Sequence, residues 1–229
     1  MKSPQRILLV GAAGRMGQAV IAAAERQPAI VIAATCNRGE RIDARINDCG
    51  VVVDFSNADA TQEICVACTR AIKPLVTGTT GHSAAAKALI EEAARVIPIV
   101  AAPNFSIGIN TLSWLARHAS NLLGESFDVE IVEAHHREKK DAPSGTAKRL
   151  AQILGGRKAG ELVIHSIRGG DIVGDHTIIF AGAGERIELT HRASSRETFA
   201  LGALRAASWV VDRPAGLYAM EDVLGLSGQ

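Results

Sequence analysis

Aromatic side chains are scarce in this chain: five Phe, two Trp and one Tyr make up 3% of it. Trp114 and Trp209 both fall in helical patterns, which makes them packing anchors and not stacking platforms for a cofactor. Net charge is also nearly absent, at +1, so a general polyanion binder is excluded and any positive field must be local. No apolar run approaches the length of a membrane span. The run Ile7-Leu8-Leu9-Val10 is too short for a signal core and is soon followed by Arg15. Cysteine is limited to Cys36, Cys49, Cys65 and Cys68. Cys65-Val-Ala-Cys68 has CxxC spacing but no second pair and no histidine at finger spacing, so the thiols read as small buried side chains in a reducing cytosol. What remains is ample for folding. At 229 residues and 47% hydrophobic content, the chain can bury two modest cores.

The front of the chain alternates apolar β-rich runs with helical patterns. Strands are expected at Ile7–Val10, Ile30–Thr35, Val51–Phe55, Leu75–Thr77 and Ile97–Ala101, with helices at Arg15–Arg26, about Asp59–Arg70 and Ser83–Arg95. Continuous apolar strands joined by helices specify a parallel sheet covered on both faces, a Rossmann-like α/β domain. The pattern then changes. A helix around Asn110–Leu123 precedes strands at Phe127–Ala134, Glu161–Arg168, Asp175–Phe180 and Arg186–Thr190, the last two joined by the turn Ala181-Gly182-Ala183-Gly184. A helix opening near Thr146 interrupts these strands, and hairpins in place of βαβ units specify an α+β domain with a mixed or open sheet. After a last helix, about Arg196–Val211, the tail Leu217–Met220 returns to the first domain. The expected division is residues 1–106 with 209–229, and 107–208.

Directly after the first strand stands Gly11-Ala12-Ala13-Gly14-Arg15-Met16-Gly17, a GxxGxxG run that opens a helix. Glycines there permit a tight turn and close approach to a pyrophosphate, which the helix amino-terminus attracts. A Gly-rich turn without a ligand is the alternative. At the end of the second strand, where an NAD site usually carries Asp or Glu, this chain has Asn37 and then Arg38. Asn37 brings no charge to repel a 2′-phosphate, and Arg38, helped by Arg15 or Arg41, is placed to pair with one. The expectation leans to NADPH, with NADH also compatible.

The segment Glu133–Ala147 holds His135, His136, Arg137, Lys139 and Lys140 against Glu138 and Asp141, then turns through Pro143-Ser144-Gly145-Thr146. Ser144 is a good N-cap, and the helix N–H groups behind it form an anion cradle. A compact dianion fits both halves, and a solvated basic loop is the alternative.

From Glu133-Ala134-His135-His136-Arg137 through Lys139 and Asp141 to Ser144-Gly145-Thr146-Ala147, this segment closely resembles the signature of the dihydrodipicolinate reductase family, also called 4-hydroxy-tetrahydrodipicolinate reductases. Agreement continues in Val10–Gly17, Asp54-Phe55-Ser56, Gly78-Thr79-Thr80-Gly81, Asn104–Gly108 and the closing Gly216–Leu224, nearly the whole chain. The resemblance implies an NAD(P)H-dependent oxidoreductase of lysine and diaminopimelate biosynthesis. It implies that Gly11, Ala12, Ala13, Gly14, Arg15 and Met16 bind the pyrophosphate, with Asn37 and Arg38 at the adenosine ribose. Gly78, Thr79 and Thr80, with Ala102, Pro103, Asn104 and Phe105, are implied to line the nicotinamide side. His135 is implied as general acid with Lys139 as its partner, while His136, Gly145 and Thr146 hold the substrate carboxylates. A homotetramer built through the second domain's sheet follows from the same resemblance, while net charge, apolar-run length, cysteine usage and histidine spacing lead to the expectation of a cytoplasmic protein with no nucleic-acid or membrane partner and no metal.

Two departures from the family stand out. Only Asn37–Gly50 separate the second strand from Val51, where many relatives carry a longer insertion, and Asn37 replaces a frequent acidic residue. The remaining histidines, His82, His118, His165, His176 and His191, lack metal spacing and read as surface or satisfied structural residues, while Asp54 reads as a capping or loop residue. A reductase of another, monocarboxylate substrate and a cofactor-dependent sensor without turnover are the competing readings.

Overall fold

The computed structural model of the protein describes residues 3–155 and 162–227. In chain order the strands are β1 (Gln5–Val10), β2 (Ile30–Cys36), β3 (Val51–Asp54), β4 (Leu75–Thr77), β5 (Pro98–Ala101), β6 (Asp128–His135), β7 (Val163–Arg168), β8 (Gly174–Gly182), β9 (Glu185–Ala193) and β10 (Gly216–Tyr218). The helices are α1 (Arg15–Ala24), α2 (Thr61–Arg70), α3 (Ala84–Ala93), α4 (Ile107–Leu123), α5 (Gly145–Leu154), α6 (Glu197–Val210) and α7 (Met220–Leu224). Glu161, expected in the strand before Arg168, lies outside the described residues.

One unit comprises Met1–Ile107 and Glu197–Gln229. Its six strands are all parallel, in the order β10-β5-β4-β3-β1-β2. Alternation along a strand sends neighbouring side chains to opposite faces. Ile7 and Leu9 therefore join one core with Val20, Val51, Val53 and the buried face of α6, while Leu8 and Val52 join the other with Ile64, Ile90 and Ile99. A strand buried on both faces must be apolar throughout, which is why these runs show no polar alternation. All four cysteines are buried free thiols in the first unit, and burial pushes the Cys65 thiol up to about 11.

The boundary expected at residue 209 falls earlier, at Glu197. Helix α6 belongs to the first unit because its small residues, Ala200, Gly202, Ala203, Ala206 and Ala207, are buried in that unit's core. The approach is close: a Cβ at Gly202 would lie only 1.8 Å from the Phe105 carbonyl oxygen. The tail supplies a sixth strand, β10, beside β5. The short Asn37–Gly50 region forms two single 3-10 turns, Ile42–Ala44 and Ile46–Asp48, whose isoleucines are buried.

The other unit, Gly108–Arg196, carries a mixed sheet in the order β7-β6-β8-β9. Strand β7 runs parallel to β6, whereas β8 pairs antiparallel with both β6 and β9. Ile131, Ile178 and Phe180 from the sheet pack with Ile109, Leu112 and Ala116 of α4 and Ala147, Leu150 and Leu154 of α5. Among the described residues no helix is long and apolar enough to cross a membrane. Trp209 packs edge-on against Tyr218 at 5.1 Å beneath the Arg213 guanidinium, and Trp114 lies 4.0 Å from the His118 ring.

Candidate active site

The first unit holds a cavity of about 560 Å³ at the carboxyl ends of β1, β2 and β3, lined by Gly11, Ala13, Gly14, Asn37, Arg38, Glu40 and Phe55 among others. The chain leaves β1 for β2 on one side and returns to β3 on the other, so this is the switch point at which open α/β sheets bind ligands. The glycines fit a dinucleotide. Gly11 has φ +79°, and a Cβ there would sit 2.5 Å from the Phe55 carbonyl oxygen. Gly17 lets α1 close onto the loop, since its Cβ would come 2.3 Å from the Gly11 oxygen. Gly14 caps α1 with no side-chain hydrogen bond, which leaves the first helical N–H groups to a bound anion.

At the far side of the cavity the Ala13 N–H donates to Asn37 Oδ1 at 2.8 Å, and the Asn37 N–H donates to a Glu40 carboxylate oxygen at 2.9 Å. Asn37 thus braces the glycine loop, and a carboxylate stands three residues later than the usual place. Ala12 is buried, Arg15 is exposed, and Met16 packs against the core.

The other expected cofactor positions follow β4 and β5, the next strands of the sheet. Thr79 is fixed by Asp54, whose Oδ2 accepts from the hydroxyls of Thr77 and Thr79, both at 2.8 Å. Asp54 Oδ1 accepts from the Ser56 N–H and hydroxyl, so this buried carboxylate organises two loops as a strand-end anchor. Gly78 gives room to Phe55, which meets Phe105 edge-on at 5.7 Å. The Ala102 N–H donates to the Thr77 carbonyl, Asn104 Oδ1 accepts from the Ser106 N–H, and Thr80 and Pro103 are exposed.

In the second unit, β6 ends in the charged centre. Glu133 and His135 share one face of the strand by the two-residue repeat, and Glu133 pairs across the sheet with His176 of β8. Glu133 is completely buried. Its carboxylate accepts two hydrogen bonds from the Arg168 guanidinium, at 2.7 and 3.0 Å, and one from the Ser144 N–H at 3.2 Å. It also meets His135 Nδ1 at 2.5 Å. Burial alone would raise its pKa, but hydrogen bonds from Arg168, Ser166 and His135 bring it down to about 2. An ionised carboxylate only accepts, so Nδ1 carries a proton and Nε2 is the position that gains or gives one. Burial holds the His135 pKa below its ordinary value, a shift that the hydrogen bond and charge of Glu133 oppose.

Gly174 leaves the space beside that nitrogen, since a Cβ there would be 3.0 Å from His135 Nε2. The Lys139 ammonium donates to Asp141 Oδ1 at 2.8 Å, and that bond lowers the Asp141 pKa. Ser144 caps α5, accepting from the Ala147 N–H at 3.1 Å, so Gly145 and Thr146 open the helix immediately after β6 and its loop. His136 is half-buried in that loop, and its carbonyl accepts from the Lys139 N–H.

One reading is corrected. His176, expected as a surface or satisfied residue, is buried beside His135 with ring centroids 5.2 Å apart, and its Nδ1 has no hydrogen-bond partner among the described residues. Glu133, Arg168, Gly174 and His176 were not expected in the site. The period-two spacing of Glu133 from His135 signals the first, but nothing local signals the other three. No group of His, Cys, Asp or Glu suited to a metal occurs among the described residues.

Comparison with known proteins covers both units. The family model for the dihydrodipicolinate reductase N-terminus matches residues 5–105, and that for the C-terminus matches residues 108–224. The chain is 48% identical to a 4-hydroxy-tetrahydrodipicolinate reductase of Akkermansia muciniphila, covering 96% of this chain and 98% of that one. It is 40% identical to one from Anaeromyxobacter dehalogenans, over 97% and 98% of the two chains. A dipicolinate-bound dihydrodipicolinate reductase from Paenisporosarcina sp. TG-14 has the same fold, with a TM-score of 0.80 at 22% identity, covering 94% of this chain and 97% of that one.

Proposed function

The chain belongs to the dihydrodipicolinate reductase family, and we propose from that premise how its residues carry out NAD(P)H-dependent reduction of 4-hydroxy-tetrahydrodipicolinate to tetrahydrodipicolinate in lysine and diaminopimelate biosynthesis. The observation that carries the mechanism is the buried Glu133–His135 pair beside the start of α5.

The Gly11–Gly14 loop and α1 would hold NAD(P)H, which would supply a hydride to the conjugated ring that forms when the 4-hydroxyl of the substrate leaves as water. The reduced ring must then take a proton, and His135 gives it from Nε2. Glu133 keeps the imidazole oriented and stabilises its protonated form through Nδ1, as a buried carboxylate does for a catalytic histidine. Arg168 and the Ser144 N–H hold Glu133 ionised, so the proton remains on the imidazole. One substrate carboxylate is taken by Gly145, Thr146 and the amino-terminus of α5, with His136 beside it. Lys139 exchanges Asp141 for the substrate, bringing a full positive charge against the dianion.

For the choice of cofactor, Arg38 favours NADPH, but Glu40, Asp59 and Glu63 also line the cavity. Three carboxylates against one guanidinium oppose a 2′-phosphate, and Glu40 supplies a carboxylate acceptor for the ribose while Asn37 Oδ1 is engaged by the Ala13 N–H. We place NADH ahead of NADPH on that charge. A homotetramer joined through the second unit's sheet and a cytoplasmic location complete the proposal.

The test is oxidation of NADH and NADPH, in parallel, by the purified protein, with substrate generated in place by the synthase that condenses pyruvate with aspartate semialdehyde. Rapid oxidation with NADH the faster donor is expected. No oxidation of either by folded protein refutes the reaction, and preference for NADPH refutes only the cofactor assignment.

A further inference from the structure

We propose that His176 is a positioning residue of the reduction, coupling the proton donor His135 to the anion cradle at the start of α5 through Ser144. The proposal rests on the reaction proposed above and extends it to a residue of β8.

Four contacts form a closed circuit. Glu133 holds His135 through Nδ1 and Ser144 through its backbone N–H. His176 completes the loop from the opposite strand: its ring meets the His135 ring in a T-shaped contact, and its Nε2 lies 3.1 Å from Ser144 Oγ. That oxygen also accepts from the Ala147 N–H, which fixes the cap of α5. A shift of His176 therefore moves both the group that gives the proton and the turn that receives a carboxylate.

Packing alone does not account for a histidine here. The residue is 3% exposed and its Nδ1 has no hydrogen-bond partner among the described residues, a destabilising arrangement that a leucine in the same place would avoid. What a leucine cannot supply is the bond to Ser144. The titratable groups around the ring are Glu133 and His135 from β6 and His191 from β9, with Lys139 acting from the basic loop. Between the Glu133 carboxylate and the Lys139 ammonium, a neutral imidazole bonds Ser144 without adding a charge that would favour deprotonation of His135.

Two substitutions separate positioning from packing. His176→Leu removes the polar atom and keeps an apolar filling; His176→Gln retains an amide nitrogen near the place of Nε2. Affinity for pyridine-2,6-dicarboxylate, a stable cyclic dicarboxylate, is measured by calorimetry beside kcat, KM and cofactor affinity. His176→Leu is expected to weaken dicarboxylate binding and lower kcat/KM by about tenfold each, one lost hydrogen bond's worth, with cofactor affinity unchanged. His176→Gln is expected to recover most of both. In a Ser144→Ala background the leucine variant should add little, because the bond it removes is already gone. The proposal is overturned if the leucine variant binds and turns over like the parent, or if leucine and glutamine are equally defective. Failure of the parent protein to reduce the substrate is a different result, since it removes the reaction and leaves the dicarboxylate measurement to judge His176.

Discussion

Gly174→Ala adds one methyl group to the wall beside His135, and the structure gives its consequences. Gly174 is not among the glycines with positive φ, so alanine meets no backbone strain there. The new Cβ would lie 3.0 Å from His135 Nε2, 3.4 Å from its Cδ2 and 3.8 Å from His176 Cε1. Optimal separation for such atoms is about 3.5–4.0 Å, so the imidazole must retreat by about half an ångström. It has little freedom to do so, with Nδ1 held by Glu133 at 2.5 Å and the His176 ring against it. Overpacking of this kind costs about 1–3 kcal/mol of stability. Misplacing a reacting group by about 1 Å costs on the order of a hundredfold in rate, so a drop in kcat of about ten- to a hundredfold is expected. Cofactor affinity should not change, because the dinucleotide cavity is lined wholly by the other unit. The assay is cofactor oxidation under saturating substrate, with dissociation constants from fluorescence titration. Gly169→Ala is the control: it also lacks a positive φ, and its Cβ would meet nothing within 4 Å among the described residues. If folded Gly174→Ala keeps the kcat of Gly169→Ala, then Nε2 is not the proton-giving position.

The remaining predictions concern pH and charge. Because burial lowers the His135 pKa below its ordinary 6.5, kcat/KM, which reports the free enzyme, should decline as pH rises through a value under 6.5. A bound dianion raises that pKa, so the limb in kcat should lie at higher pH; coincident limbs in both profiles would contradict placement of the carboxylates near His135. His176, pushed by burial to about 4 from 6.5, is neutral in the folded protein and readily charged in the unfolded one. Its contribution is therefore complete above pH 6.5 and lost as pH falls towards 4, a change of about 3 kcal/mol. Urea midpoints at pH 7 and 4.5 should differ less in His176→Gln than in the parent, and an unchanged difference assigns the acid sensitivity elsewhere. Glu40→Gln should raise the ratio of NADPH to NADH efficiency several-fold by removing one carboxylate from the cavity, and an unaltered ratio would return the choice of cofactor to Arg38.

How far such a site can be read from sequence depends on the range of its contacts. Val51–Val53 read correctly as a fully buried strand because burial on both faces leaves a continuous apolar run. His135, Lys139, Ser144, Gly145 and Thr146 could be grouped because one strand end, one loop and one helix start bring them together locally. Helix α6 is legible in the sequence as a helix, but its place in the first unit is not, since its small residues state only that something approaches closely. That the neighbour is the Phe105 carbonyl is a tertiary fact. Arg168 and His176 were beyond reach for a sharper reason. They enter the site through the pairing of β6 with β7 and with β8, and no local pattern states that Glu133 stands opposite His176. Register is strict where it matters. A slip of one residue in β8 would place its outward-facing positions, Asp175 and Thr177, where Gly174 and His176 now stand, filling the space at Nε2 and removing the bond to Ser144. The hydrophobic alternation guards against that slip, because Ile178 and Phe180 share the inward face with His176, and the same shift would turn both out of the core. The core of the second unit therefore holds the proton donor in alignment through the same two-residue repeat that buries its isoleucines.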